Sequence, residues 1–345
     1  MSNLKLFNGL ASYIGGKRLL AQKILDYAEG DVLIDAFAGA CSVSLLAKHR
    51  GFEVISNDIS QRSYVSQLAL IENSTEKISE DDIARLFIPM QNDGFIEKTY
   101  CPKFFTREGA KFLDNAFAVI QTIENVYKKA LLQHLLSVYI LHIRSFSRFG
   151  LVKDTQSIEN GTSGEILEIA TRSRVNKMLQ TMAHPFVILQ EIAKDINRAI
   201  VNTGKKCKAN NLDVFEFLKQ VQGSTLYSDP PYSSSASYES TYEIWDSVLA
   251  GKEIKLPISA FNRKDVEQSF HQMFESAQHI PLWLTSMGKN PDGKGISFDG
   301  EELLTLVKEH RPNSTLVKFN HRWSINTMAG KDQKENIEYL LISKK

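Results

Sequence analysis

The chain predicts an α/β protein built on a doubly wound, mostly parallel sheet, with a mainly helical inserted domain. Three observations predict it. Residues 31–58 run strand, glycine turn, helix, strand, one βαβ half of such a sheet. From about 75 to 200 long helical patterns dominate and strand runs are few. From about 210 strand signals return in STLYSDPPY, IPLWLTS, STLVKFN and NIEYLLIS.

Each element follows from its pattern. Lys17–Ala28 carries apolar residues at Leu19, Leu20, Ile24, Leu25 and Ala28, which is helical spacing. VLIDAF is a short apolar run with β-branched residues, a buried strand. GACSVSLLAKHRG is a helix closed by Gly51, and FEVISND is a second strand ending on Asp58. Helices are predicted over 104–123, 124–146 and 174–199, with the polar DTQSIENGTSGE as a surface loop between the last two. The resulting division is a discontinuous sheet domain, 1–75 and 200–345, around a helical insertion, 76–199.

Bulk properties narrow the class. At ~100–200 residues per domain, 345 residues suit two domains or one large domain with an insertion. The balance of 41 basic and 40 acidic residues means that a nucleic-acid face would have to be a local patch. Cys41, Cys101 and Cys207 are far apart, without metal-ligand spacing, which fits a reduced, cytoplasmic compartment and no metal. The opening MSNLKLFNGL lacks the apolar region of a signal peptide. The longest apolar stretch, ALLQHLLSVYILHIRSF, is interrupted by Gln133, His134, His142 and Arg144; it predicts a buried helix and no membrane partner. His134 and His142 are expected to be satisfied core histidines.

The chemistry concentrates at strand ends. Asp35 ends the first strand, and Phe37, Gly39 and Ala40 form a tight turn into a helix. The spacing is neither GxGxxG nor a Walker loop, so the turn suits a nucleoside ligand without a pyrophosphate; a plain βα turn would read the same in isolation. Asp58 ends the next strand, where doubly wound folds hydrogen-bond a ribose hydroxyl pair, though a helix cap is the blander role. In LYSDPPY, Asp229 sits at the carboxyl end of its strand. Pro230 and Pro231 have no N–H and offer only carbonyls, and Tyr232 adds a flat face. A carboxylate plus a carbonyl is an acceptor-only site that suits an –NH2 group. Two acceptors on its hydrogens would favour a pyramidal nitrogen and free the lone pair of a poorly nucleophilic aryl amine.

DPPY, together with DAFAGACSV, SNDIS and the leading YIGGKRLL, resembles the Dam-like family of DNA adenine methyltransferases. The motif order matches, and the resemblance covers about 12–75 and 205–345. It implies a Rossmann-like methyltransferase fold, S-adenosylmethionine as cofactor, double-stranded DNA as partner, and methylation of the exocyclic amino nitrogen of a flipped adenine in a specific sequence. Tyr13 and Lys17 would touch the cofactor, Phe37 and Gly39 would line its pocket beside Asp35, and Asp58 would hold the ribose. Asp229 would lie between cofactor and base, with Pro230, Pro231 and Tyr232 completing the pocket. Asp213 occupies the slot of an acid near the cofactor adenine, or simply caps the helix VFEFLKQ. Cys41 departs from the family, where many relatives have glycine.

The insertion would hold the target-recognition residues. Candidates are Arg144 and Arg148 in HIRSFSRFG, then Arg172 and Arg174. SSSASYESTYEIW resembles a mobile loop over the flipped base, with Tyr238 or Tyr242 stacking. The final segment resembles a terminal hairpin approaching DNA through His321, Arg322, Lys331 and Lys334. A cognate restriction endonuclease would be a separate protein. Two alternatives stand beside this reading: an amino-methyltransferase for RNA adenine, DNA cytosine or protein glutamine, and a non-catalytic nucleic-acid-binding subunit. Asp229 in place of asparagine favours a nucleobase over glutamine.

Overall fold

The computed structural model describes residues 3–11, 16–101, 104–143, 180–231, 238–256, 259–262, 265–288, 300–322 and 335–345. The chain forms two compact units. One comprises Lys17–Gln67, Thr203–Glu239 and Pro257–Lys345, the other Met1–Gly16, Leu68–Asn202 and Ser240–Leu256.

The first unit holds a seven-stranded sheet. Its strands are β1 (Val32–Asp35), β2 (Glu53–Asn57), β3 (Lys208–Asn210), β4 (Thr225–Ser228), β5 (Leu282–Gly288), β6 (Thr315–Arg322) and β7 (Glu335–Lys344), in the order β3-β2-β1-β4-β5-β7-β6. The first five run parallel; β7 is antiparallel to both β5 and β6. The fold is therefore the doubly wound, mostly parallel α/β sheet that the sequence predicts. Every residue of β4 and of β5 is buried, as expected of strands covered on both faces. Ile34, Leu226, Trp283 and Leu341 from the strands pack with Phe217, Phe270, Phe274 and Leu303 from helices.

Two departures from the sequence reading are local. β3 was not foreseen; its three residues, Lys-Ala-Asn, carry no apolar run, and pairing with β2 alone makes them a strand. The helix predicted over Lys17–Ala28 is shorter, α1 (Ala21–Leu25). Residues 18–20 form a turn instead, because the backbone N–H groups of Leu20 and Ala21 both donate to the carbonyl of Lys17. Leu19 of the predicted apolar face is 62% exposed.

The second unit is helical. The helix Arg107–Gln121 starts on Thr106, whose side chain accepts from the N–H of Gly109. The helix Val126–Ile143 buries residues on all its faces, which is why its sequence is apolar all round. His134 within it is fully buried and its Nε2 meets the carbonyl of Gly9 at 2.8 Å, the satisfied core histidine expected. Asn197 of the helix Pro185–Ala199 brackets Ile78, accepting from its N–H and donating to its carbonyl, each at 2.8 Å. Among the described residues no helix is long and apolar enough to cross a membrane. Of the loop expected after DPPY, residues 233–237 lie outside the described residues, and the part from Tyr238 on belongs to the helix Tyr238–Ala250. Its Tyr242 is not an exposed stacking residue: it is buried, with its ring parallel to Trp245 at 6.1 Å. Tyr242, Trp245 and Leu249 recur at helical spacing and are all buried.

Candidate active site

β1 lies between β2 and β4, and the chain winds outward from it in both directions. Such a switch point opens a crevice at the carboxyl ends of the strands. Asp35 pairs with Ser56 of β2 on one side and Tyr227 of β4 on the other. Beyond it the backbone straddles both neighbours: Ala36 N–H donates to Tyr227 O at 3.0 Å and Ala38 N–H to Asn57 O at 2.9 Å.

The turn after β1 closes tightly. Gly39 has φ +50° and Cys41 φ +63°. Cys41 N–H donates to Ala38 O at 2.6 Å and its own carbonyl accepts from Leu45 N–H, starting α2 (Ser42–His49). Cys41 is the one non-glycine residue at positive φ among the described residues, and left-handed backbone is what favours glycine at such a position. Burial, reinforced by the Asp35 and Asp58 carboxylates, pushes the Cys41 thiol well above its ordinary range.

Asp58 holds this turn. One carboxylate oxygen accepts from Gly39 N–H at 2.8 Å and the other from Ser60 N–H at 2.9 Å. Since Gly39 N–H is already bonded, the turn does not present it to a phosphate. Two asparagines fix Asp58 in place. Asn57 bonds the carbonyls of Ala36 and Leu212 and accepts from Leu212 N–H; Asn211 donates to the carbonyls of Asp58 and Ile59 at 2.7 and 2.9 Å. Ile59 stands 55% exposed beside Asp58, and Leu212 is exposed as well. Phe37 is half-buried and meets Phe261 edge-on at 5.4 Å, while Phe261 stacks on Phe215. Exposed aliphatic and aromatic surface next to a carboxylate suits an adenosine.

Asp35 is fully buried. Ser44 Oγ donates to its Oδ2 at 2.6 Å, and Oδ1 has no hydrogen-bond partner. Burial pushes its carboxyl up to about 7. Asp213 is exposed and caps the helix Val214–Gln220, accepting from Phe215 N–H at 2.9 Å.

The DPPY segment is anchored from below. Tyr227 Oη donates to Ser286 Oγ at 3.1 Å and the Ser228 and Thr285 hydroxyls lie 2.9 Å apart, tying β4 to β5. Asp229 follows, its side chain 17% exposed. Lys17 Nζ lies 2.8 Å from both of its carboxylate oxygens and 3.1 Å from Glu338 Oε1 of β7. Burial and the Glu338 charge push the Asp229 carboxyl up, Lys17 pulls it down, and the result is about 6. Pro230 is buried and Pro231 half-buried.

The crevice therefore gathers Lys17, Asp35, Phe37, Gly39, Asp58 and Asp229–Pro231 within one unit. Tyr13, Arg144, Arg148, Arg172, Arg174, Tyr232, Lys331 and Lys334 lie outside the described residues, as do the side chains of Tyr238, His321 and Arg322. Sequence reading missed Glu338, although a carboxylate inside the apolar run NIEYLLIS is a signal. It also missed Asn57 and Asn211, for which the sequence holds no signal, because they act only once β2 and β3 are paired.

Known proteins bear on this geometry. Residues 13–286 match the family model described as D12 class N6 adenine-specific DNA methyltransferase. The chain is 30% identical over 340 residues, 96% of each chain, to the type II methyltransferase M2.HphI of Haemophilus parahaemolyticus. It is 23% identical over 334 residues, 89% of each chain, to the type II methyltransferase M.CviAII of Paramecium bursaria Chlorella virus 1. A glycine turn and two strand-end carboxylates beside a DPPY segment are thus found in a chain that belongs to the D12 class of N6 adenine-specific DNA methyltransferases.

Proposed function

We propose that this methyltransferase takes its methyl group from S-adenosylmethionine and acts on an adenine flipped out of duplex DNA into the DPPY pocket. When bound, S-adenosylmethionine supplies the electrophile, a methyl group on a sulfonium. The Asp58 carboxylate would accept from its ribose hydroxyls. Ile59, Phe37 and Leu212 offer the apolar surface for its adenine ring.

The observation that carries the reading is Asp229 at the carboxyl end of β4, mostly buried and raised to about 6. Above that value it is an acceptor. Asp229 and the Pro230 carbonyl would hold the two hydrogens of the adenine amino group, and Tyr232 would stack on the base. So held, the amino nitrogen would direct its lone pair at the methyl carbon that S-adenosylmethionine would supply, with the neutral thioether as leaving group, and the proton it sheds would pass by way of the Asp229 carboxylate to solvent. Unpairing the base costs a few kcal/mol, which the pocket contacts offset. Residues 76–199 form the target-recognition domain in this reading, with Arg144, Arg148, Arg172 and Arg174 toward DNA. The enzyme would work in the cytoplasm with a separate cognate endonuclease; both relatives are named type II methyltransferases.

Tritiated methyl transfer to unmethylated duplex DNA tests this. Asp229→Ala is expected to abolish incorporation while DNA binding persists, and the wild-type kcat/KM should fall as pH drops below about 6. Transfer by the variant at near wild-type rate would refute the acceptor role.

A further inference from the structure

Glu338 has no assigned part in the reaction, yet it is only 4% exposed and belongs to the same charge cluster as Asp229. It sits in the middle of β7, opposite Gly288 of β5 and Phe319 of β6. The cluster is two carboxylates around one ammonium. Lys17 reaches both oxygens of Asp229 at 2.8 Å and Glu338 Oε1 at 3.1 Å, the latter outside hydrogen-bond geometry.

Two physical facts make this arrangement informative. Burying a carboxylate carries a desolvation penalty, and an apolar replacement of a buried ion pair is often neutral or stabilising. Glu338 is therefore a poor device for stability. Secondly, Lys17 engages both oxygens of the carboxylate that must accept from the amino group. Each Asp229 oxygen keeps a second lone pair, but an ammonium bridging both oxygens at 2.8 Å blocks approach from its own side, so an amino group arriving there has to displace it from at least one oxygen.

We propose that Glu338 is a positioning residue that draws the Lys17 ammonium off Asp229 when the target amino group enters, so that Lys17 is a movable cap between the two carboxylates. The inference rests on the DPPY reading above. In the free enzyme the ammonium lies on Asp229 and keeps the buried carboxylate compensated. As the amino group takes over one Asp229 oxygen, Lys17 moves the short distance onto Glu338, which keeps both acids paired. Glu338 touches neither base nor cofactor in this scheme; it acts through Lys17.

Among the described residues, the charged and titratable groups around Asp229 are Lys17 from the turn before α1, Glu338 from β7, Asp35 from β1 and Tyr227 from its own strand. Removing the Glu338 charge leaves Lys17 with one carboxylate. Asp229 then stays capped, and it also loses a like charge, so it ionises at lower pH.

The test is Glu338→Gln, followed by steady-state methyl transfer across pH. The expected result is a kcat about tenfold lower or worse, with KM for S-adenosylmethionine and for DNA near wild type. The acid limb should move down by about half a unit or more, and Glu338→Asp should restore part of the rate. In a Lys17→Met background the same substitution should have little further effect on kcat. An unchanged kcat and acid limb overturns the proposal. So does a loss of activity that follows the loss of folded protein, measured by thermal melting, while the acid limb stays in place. Asp229→Ala separates the two levels: if that variant still methylates, the DPPY reading falls, whereas a normal Glu338→Gln beside an inactive Asp229→Ala removes only the movable cap.

Discussion

At Cys41 the backbone is left-handed, φ +63°, and the side chain is fully buried. Left-handed backbone costs a non-glycine residue about 1–2 kcal/mol, and losing the buried side chain costs about 1 kcal/mol. Cys41→Gly is therefore expected to be within about 1 kcal/mol of wild type by denaturant titration, the two effects offsetting each other. Cys41→Val puts a branched carbon at the same φ and should cost about 2 kcal/mol or more. Asp35 makes a pH prediction. Its folded-state value is raised from 3.8 to about 7, so between those limits the folded protein holds a proton that the unfolded chain has lost. Stability contributed at this residue therefore falls as pH rises through that window. Asp35→Asn keeps an acceptor for Ser44 and removes the titration. The stability of Asp35→Asn relative to wild type should rise by the order of a few kcal/mol from pH 4 to pH 8, read from urea midpoints. A difference that stays flat would refute the buried-acid assignment.

Elements show where local pattern was enough. β1, β2, β4 and β5 were legible because buried parallel strands must be apolar, and the βα turn was legible from small residues between a strand and a helix. β3 was not, since Lys208–Asn210 has no strand pattern and exists only by pairing with β2. The part of the segment after DPPY that runs from Tyr238 on reads as a loop because the serine-rich stretch before it hides a buried stripe that includes Tyr242, Trp245 and Leu249. The packing of Gly300 on β7 gives an element-scale prediction. A Cβ there would lie 2.3 Å from the ring of buried Tyr339, the neighbour of Glu338. The first turn of the helix Gly300–His310 would have to lift from the strand. Gly300→Ala is expected to cost about 1–3 kcal/mol, measured as a shift in the denaturant midpoint; an unchanged midpoint would mean that the ring can move freely.

Over the whole molecule, the division of labour between sequence and structure follows from range. Motifs whose parts are close along the chain, DAFAGAC, SNDIS and DPPY, carry the family resemblance and point to the strand ends, because residue type and strand position are local properties. The sequence thus determined the fold class and the family, and it singled out Asp58 and Asp229 as the strand-end carboxylates of the proposed site. Only the tertiary structure decided who faces Asp229. Lys17 is paired with a carboxylate 212 positions away and with Glu338 on the last strand. Those contacts depend on β1 lying between β2 and β4 and on β7 inserting antiparallel beside β5. Local periodicity carries no information about such pairing; strand order does, and it is set by which buried faces pack together.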